Sequence, residues 1–346
     1  MRRLILLLIV VIGLAPVWIR SPKPLELTDD RQILQFVALR LPHADLGPLQ
    51  AIGAWRLEST NRHFGSYSGL VEIGDGTLAA AADTGKRLRF TPPGRTGPGP
   101  RFDFFADIDF ADKAAYDIES LTRDPATGRF WVGFEHKNQI ARFDAQFHSL
   151  GLVRPAAMRQ WRSNSGPEAM TRLSDGRFVL LAETGLSWFD SEGPGLLFPG
   201  DPVDGATPLE FRFHPPAGYN PSDIAALPDG RVLILLRKVV WGLPPSFVGK
   251  LVIADPATIR AGEEWRAEPL ADLRPPLPMD NYEGLAVEPM PDGRVTLWLI
   301  SDDNNGMFQR TLLLELVWRP NEKARGTSRA PHWIAFSGLR RPQRPS

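Results

Sequence analysis

The sequence predicts an all-β protein of the β-propeller class, and three observations carry that reading. A hairpin figure occurs five times between residues 50 and 320: a polar or acidic residue, an apolar strand, a Gly-containing turn and a returning strand that ends on a charged residue. The copies start at Gly69, Glu119, Glu168, Asp223 and Glu283, spaced 50, 49, 55 and 60 residues apart, a period that suits a four-stranded blade better than a helical repeat. Glycine (31) and proline (33) are frequent and long helical patterns are lacking, as expected of many short strands joined by turns. Five repeats predict five blades, with a degenerate sixth as the alternative count.

Taken in order, the chain opens with MRRLILLLIVVIGLAPVWIR, in which Arg2 and Arg3 precede an apolar run from Leu4 to Ile19. A charged start followed by an apolar run is the pattern of an export signal. The run is shorter than the ~20 residues of a spanning helix, yet no clean small-x-small cleavage site follows it. Residues 1–20 are therefore expected to be either a signal peptide or an uncleaved anchor. The protein is accordingly expected to be exported, either periplasmic or secreted, or held at the inner membrane. Residues 21–49 form a Pro-containing connector with one strand-like piece, Ile33 to Leu39, and Gln50 to Leu57 reads as the next strand.

The five hairpins then fill residues 50–320. The first runs through Gly74-Asp75-Gly76 and delivers Asp83; the second turns at Thr127-Gly128 and delivers Glu135 beside His136. The third turns at Asp175-Gly176 and delivers Glu183, whereas the fourth turns at Asp229-Gly230 and delivers Arg237 and Lys238 in place of an acid. The fifth turns at Asp292-Gly293 and delivers Asp302 and Asp303. Leu88–Thr91, Ala141–Phe143, Leu186–Phe189, Leu251–Ala254 and Leu312–Trp318 are the candidate third strands, and the last of them is expected to close the ring against the strand near Gln50. Residues 321–346 read as a basic, flexible tail.

Composition excludes several functions. Forty basic and forty acidic residues cancel, and no basic stripe with interleaved aromatics appears, so no nucleic-acid partner is expected. Cysteine is absent, which removes disulfides and thiol nucleophiles. Gly65-Ser66-Tyr67-Ser68-Gly69 has the frame of a nucleophile elbow with Tyr67 where the serine belongs, and there is no P-loop, dinucleotide fingerprint or HExxH.

What remains is the set of acids. In a propeller, equivalent positions of successive blades converge on one mouth, so Glu119, Glu168, Asp223, Glu283, Glu135, Glu183, Asp302, Asp303 and Asp83 are expected to ring it. Each acid taken alone is better read as structural, bonding a backbone N–H or an arginine; the set demands a compensating charge. A hard divalent cation, most simply Ca²⁺, wants six to eight oxygen ligands and fits such a ring. Glu283, Arg237, Lys238 and His136 are the candidate catalytic residues: the acid as ligand or base, the two cations to steady an anionic ester, and the histidine to move a proton.

The pieces FGSYSGL (64–70), YDIESL (116–121), SGPEAM (165–170), YNPSDIAALPDGRVLIL (219–235), NYEGLAV (281–287) and LISDDNN with QRTLLLEL (299–316) resemble the esterase-like phytase family. The resemblance implies a phytase-like propeller acting on phosphate or other esters with calcium. It carries over to Glu119, Glu168, Asp223, Glu283, Asp302 and Asp303, while Gly69 and Arg237 depart from a uniform acid pattern. The expected function is an exported, metal-dependent hydrolase of small phosphate esters that uses metal-activated water. The alternatives are a non-catalytic envelope propeller with structural calcium, or a lactonase-like calcium propeller.

Overall fold

The computed structural model describes residues 29–74, 76–105, 117–162, 165–183, 192–306 and 308–319. The apolar run at Leu4–Ile19, the turn residue Asp75, the strand candidate Leu186–Phe189 and the tail at 321–346 lie outside them. No helix among the described residues is long and apolar enough to cross a membrane.

Two strands precede the repeats, β1 (Gln35–Ala38) and β2 (Gln50–Glu58). The first blade is β3 (Tyr67–Glu72), β4 (Leu78–Ala82), β5 (Lys86–Phe90) and β6 (Arg101–Phe104); the second is β7 (Ile118–Arg123), β8 (Phe130–Phe134), β9 (Gln139–Phe143) and β10 (Ser149–Val153). The third blade is β11 (Pro167–Arg172), β12 (Phe178–Ala182), β13 (Gly193–Phe198) and β14 (Leu209–Phe213). The fourth holds β15 (Asn220–Ala226), β16 (Val232–Val240), β17 (Ser246–Ala254) and β19 (Glu268–Leu273), while the short β18 (Glu264–Trp265) pairs in parallel with β14 of the third. The fifth blade combines β20 (Asn281–Pro289), β21 (Val295–Asp302) and β22 (Leu312–Trp318) with the early strands, in the order β1-β2-β22-β21-β20. The ring is thus a five-bladed propeller. It closes as the sequence predicts, β2 running antiparallel to β22 with Gln50 opposite Val317 and Arg56 opposite Leu312.

Hydrophobic burial between blades holds the ring together. The buried apolar residues gather in five clusters, each belonging to one pair of neighbouring blades. Leu233, Leu235 and Leu251 of the fourth blade, for example, meet Leu285, Leu297 and Leu314 of the fifth. A blade covered on both faces needs apolar side chains on both, and for that reason β12 (FVLLA) and β4 (LAAAA) read as unbroken apolar runs rather than alternating ones. β16 and β17, at nine residues each, are longer than the five-residue β8 and β9, and their hairpin runs on past the blade.

Each innermost strand carries a register shift near its start, at Tyr67/Gly69, Ile118/Ser120, Pro167/Ala169, Pro221/Asp223 and Tyr282/Gly284. The extra residues are Ser68, Glu119, Glu168, Ser222 and Glu283, and a bulge re-aims its extra side chain. This corrects the repeat register read from sequence: Ser68 and Ser222, not Gly69 and Asp223, are the equivalents of the three glutamates. The position after the bulge faces the neighbouring inner strand, where space is short. A Cβ on Gly69 would lie 2.8 Å from Leu121 Cβ, and one on Gly284 would lie 2.9 Å from Leu70 Cβ. Ser120 fits there by donating its hydroxyl to the Pro167 carbonyl at 2.6 Å.

Gly69→Ala should therefore wedge two inner strands apart and lower unfolding stability by about 1–3 kcal/mol. Urea denaturation measures this; an unchanged midpoint would contradict the close approach.

Candidate functional site

Three tiers of side chains build the mouth, the end of the ring where the inner strands begin and the second strands finish. The outermost tier is the residue before each inner strand or at its first position, Ser66, Asp117, Gly166, Asn220 and Asn281. The bulge residues Ser68, Glu119, Glu168, Ser222 and Glu283 form the next. The ends of the second strands supply Asp83, Glu135, Glu183, Arg237 and Asp302, with Arg237 opposite Asn220 and Asp302 opposite Asn281. Together the tiers carry eight carboxylates (Asp83, Asp117, Glu119, Glu135, Glu168, Glu183, Glu283 and Asp302) and one guanidinium.

Arg237 holds the centre of this charge. Its guanidinium lies 2.7 Å from Glu283, 2.8 Å from Glu183 and 3.2 Å from the Asn281 side-chain oxygen. Asn281 in turn donates to Glu283 at 2.7 Å. Burial works against the arginine's charge, but Glu283, Glu183, Glu168 and Glu119 override it and hold it protonated. One cation cannot satisfy so many anions. Burial, then the charges of Glu168 and Glu283, push Glu119 well above the usual carboxylate range, and burial with Glu183 does the same to Glu168. Glu283 and Asp302 are also raised, chiefly by burial. Glu135 is pushed up to about 8 by burial and by the charges of Asp117 and Glu183, with the Gly166 N–H partly offsetting them.

Carboxylate oxygens of Glu135, Glu168 and Glu183 lie within 4.8 Å of one another, as do ligand atoms of Asp117, Glu135 and His136. All but the histidine are oxygen donors, the set that a hard divalent cation prefers. Such a cation would lower the pKa values of Glu135 and Glu168 that burial and neighbouring charge have raised, so these residues fit one. His136 sits at the rim with Nδ1 2.8 Å from Asp117 and 3.5 Å from Glu135.

Of the remaining predicted residues, Asp223, Asp303 and Lys238 lie outside the tiers. Asp223, buried below the bulge tier, accepts the backbone N–H of Leu285 at 2.7 Å and of Ile224 at 2.8 Å, tying the fourth and fifth inner strands together. Asp303 accepts the N–H of Ser66 and the Thr311 hydroxyl, which fastens the first blade to the fifth. Asp83 reaches the mouth, its N–H bonded to the Ser66 carbonyl and its charge felt by Asp302. Lys238 follows Arg237 but lies on the other side of the strand, against Ala217 and the Tyr219 ring.

Asp117, Asn281, Ser68 and Gly166 were not singled out in the sequence. Ser68 bonds Glu283. A Cβ on Gly166 would lie 2.4 Å from Glu135 Cα, so glycine is what lets Glu135 come in. The signal for Ser68 was present: Tyr67-Ser68-Gly69-Leu70 aligns with Tyr282-Glu283-Gly284-Leu285. At the far end of the axis a cavity of about 460 Å³, lined by Leu70, Leu121, Ile224 and Leu285, includes none of the tier residues.

Fold and mouth together define a class: a five-bladed β-propeller with a buried, carboxylate-rich axial cup. Within that class the chain belongs to the phytase-like family described as having the esterase-like activity of phytase, whose match spans residues 62–305. No curated protein matches the sequence. Among solved structures the chain is similar to a nidogen/laminin complex, at 9% identity over 81% of this chain and 96% of that one, with a TM-score of 0.41. It is also similar to Kuenenia stuttgartiensis hydrazine synthase, at 10% identity over 68% of this chain but 56% of that one, with a TM-score of 0.37. The WD40 β-propeller domain of Doa1 shows 10% identity over 79% of this chain and 98% of that one, with a TM-score of 0.37. These likenesses carry no functional argument.

Raised carboxylate pKa values make stability depend on pH. The folded chain holds protons on Glu135, Glu119 and Glu168 that the unfolded chain has already released above its ordinary carboxylate value of 4.5. Stability of the chelator-treated protein should therefore fall as pH rises from about 5 to about 8, by up to about 1.4 kcal/mol per pH unit for each such group. Added Ca²⁺ should stabilise most at the alkaline end. Thermal melts across that range measure both effects, and a melting temperature that climbs with pH in chelator would refute the crowding.

Proposed function

We propose that this protein is an ester hydrolase that acts on small phosphate esters at the propeller mouth with the help of a divalent cation, most simply Ca²⁺. The observation that carries the reading is the convergence of Glu135, Glu168 and Glu183 within 4.8 Å beside a single arginine. Those three residues would hold the cation. A divalent ion bound there supplies Lewis acidity, polarising a phosphoryl oxygen and lowering the pKa of a coordinated water.

The chain's own residues do the rest. Glu183, Glu283 and Asn281 fix the Arg237 guanidinium at the mouth, where its remaining N–H groups can meet an anionic oxygen. His136, at the rim and bonded to Asp117, is placed to take or return a proton. Lys238, on the far side of its strand, has no part in this scheme. Family membership supports ester hydrolysis as the reaction type; the basic group among the acids favours an anionic ester over a neutral one.

Purified protein should hydrolyse a chromogenic phosphate monoester or diester in Ca²⁺ and lose that activity in chelator. Glu168→Gln should weaken metal-dependent turnover by about 10–100-fold, and Arg237→Gln should raise KM for the phosphate substrates more than for a carboxylic ester. Lys238→Ala should leave both unchanged. Calcium that raises the melting temperature without turnover on any of these substrates would instead indicate a non-catalytic binding propeller.

A further inference from the structure

The β16–β17 hairpin passes Arg237 and Gly249 at the level of the mouth and continues through three more residue pairs to Val240 opposite Ser246. At about 3.4 Å per residue it projects roughly 10 Å beyond the mouth before its turn. The turn is apolar and open: Trp241 is 88% exposed and Leu243 is 92% exposed, with Val239 and Val240 behind them. Between Lys238 and Lys250 there is no carboxylate. Val239, Val240, Trp241 and Leu243 are contiguous on the hairpin, and contiguous exposed apolar patches mark contact sites.

Two further described residues on the mouth face agree. Exposed large apolar residues on the described surface are Ile33, Val37, Ile52, Leu150, Leu152, Val239, Val240, Trp241, Leu243 and Phe308. Ile33 precedes the mouth end of β1, and Phe308 lies in the β21–β22 loop at the mouth. Val37, Ile52, Leu150 and Leu152 lie on the outer strands β1, β2 and β10, and among the described residues the turns of the opposite face carry none. The chain also arrives on this face. Asp29 accepts the Arg62 N–H through its carbonyl, beside the loop leading to Ser66. Eight residues separate it from Arg20, which directly follows the apolar N-terminal run, a reach of at most about 32 Å.

We propose that this apolar fringe, led by Trp241 and Leu243 on the hairpin tip, seats the propeller mouth-first on a lipid bilayer. Tryptophan at the tip suits the head-group level. The apolar N-terminal run and the fringe act as the two signals that stable attachment needs. The mouth then opens toward the membrane surface, and the inference stands whether or not the mouth is catalytic.

The native chain has no cysteine, so single-cysteine variants report cleanly. Leu243→Cys and Ala126→Cys, the latter on an exposed turn of the opposite face, would each be labelled with an environment-sensitive fluorophore. Both full-length proteins would be reconstituted into phosphatidylcholine–phosphatidylglycerol vesicles. The expected result is a blue shift at position 243 with several-fold stronger quenching by lipid-borne nitroxide than at position 126, and iodide quenching in the reverse order. Equal accessibility at the two positions, whether both open or both shielded, overturns the proposal, as does failure of the chain to associate with vesicles. Shielding at position 243 before vesicles are added assigns the tip to a second copy of the chain and overturns it too.

Discussion

Pairing of β2 with β22 is the constraint on which the rest depends. A blade stacked only on one neighbour leaves an apolar face open, and five blades in a row would leave two. Joining a strand from near residue 50 to the last hairpin closes the ring, so that every blade is covered on both faces and five inter-blade cores form. The closure has a chemical effect as well. It brings β20 of the fifth blade against β3 of the first, so that Glu283 meets Ser68 and Asp303 meets Ser66, residues more than 200 positions apart in sequence.

The mouth works against the fold that supports it. Eight carboxylates around one guanidinium, several of them buried, would repel strongly if all were ionised, and the upward shifts of Glu119, Glu168, Glu135, Glu283 and Asp302 express their burial first and that repulsion second. The scaffold tolerates the strain because inter-blade burial is extensive and lies away from it. Arg237 relieves part of the repulsion, being the one member of its tier that is not an acid. Acids held in this way are what the proposed cation would compensate.

Two buried acids show how the same residue type serves different ends. Asp223 and Asp303 lie close to the mouth in sequence pattern and in space, yet each spends its oxygens on backbone N–H groups or a hydroxyl, with at least one partner in the adjoining blade or strand. They fasten blade to blade. Glu135 and Glu168, set on a strand end and on a bulge, turn toward other carboxylates instead. Position relative to the bulge, not residue type, separates the two roles.

The fold class, the five repeats, the closing strand pair and the family could all be read from the chain, because hairpin turns and apolar runs are local signals and their period survives without coordinates. Most of the mouth acids could be named for the same reason. The register within the repeat could not be read by lining up acids, since a one-residue bulge decides whether Ser68 or Gly69, Ser222 or Asp223, looks into the axis. The side of the strand taken by Lys238, the bonds of Asp223 and Asp303, and the grip of Arg237 on two glutamates also emerged only with the ring closed. Those outcomes turn on which side chains from different blades come within bonding distance, and that distance is set by how the blades stack.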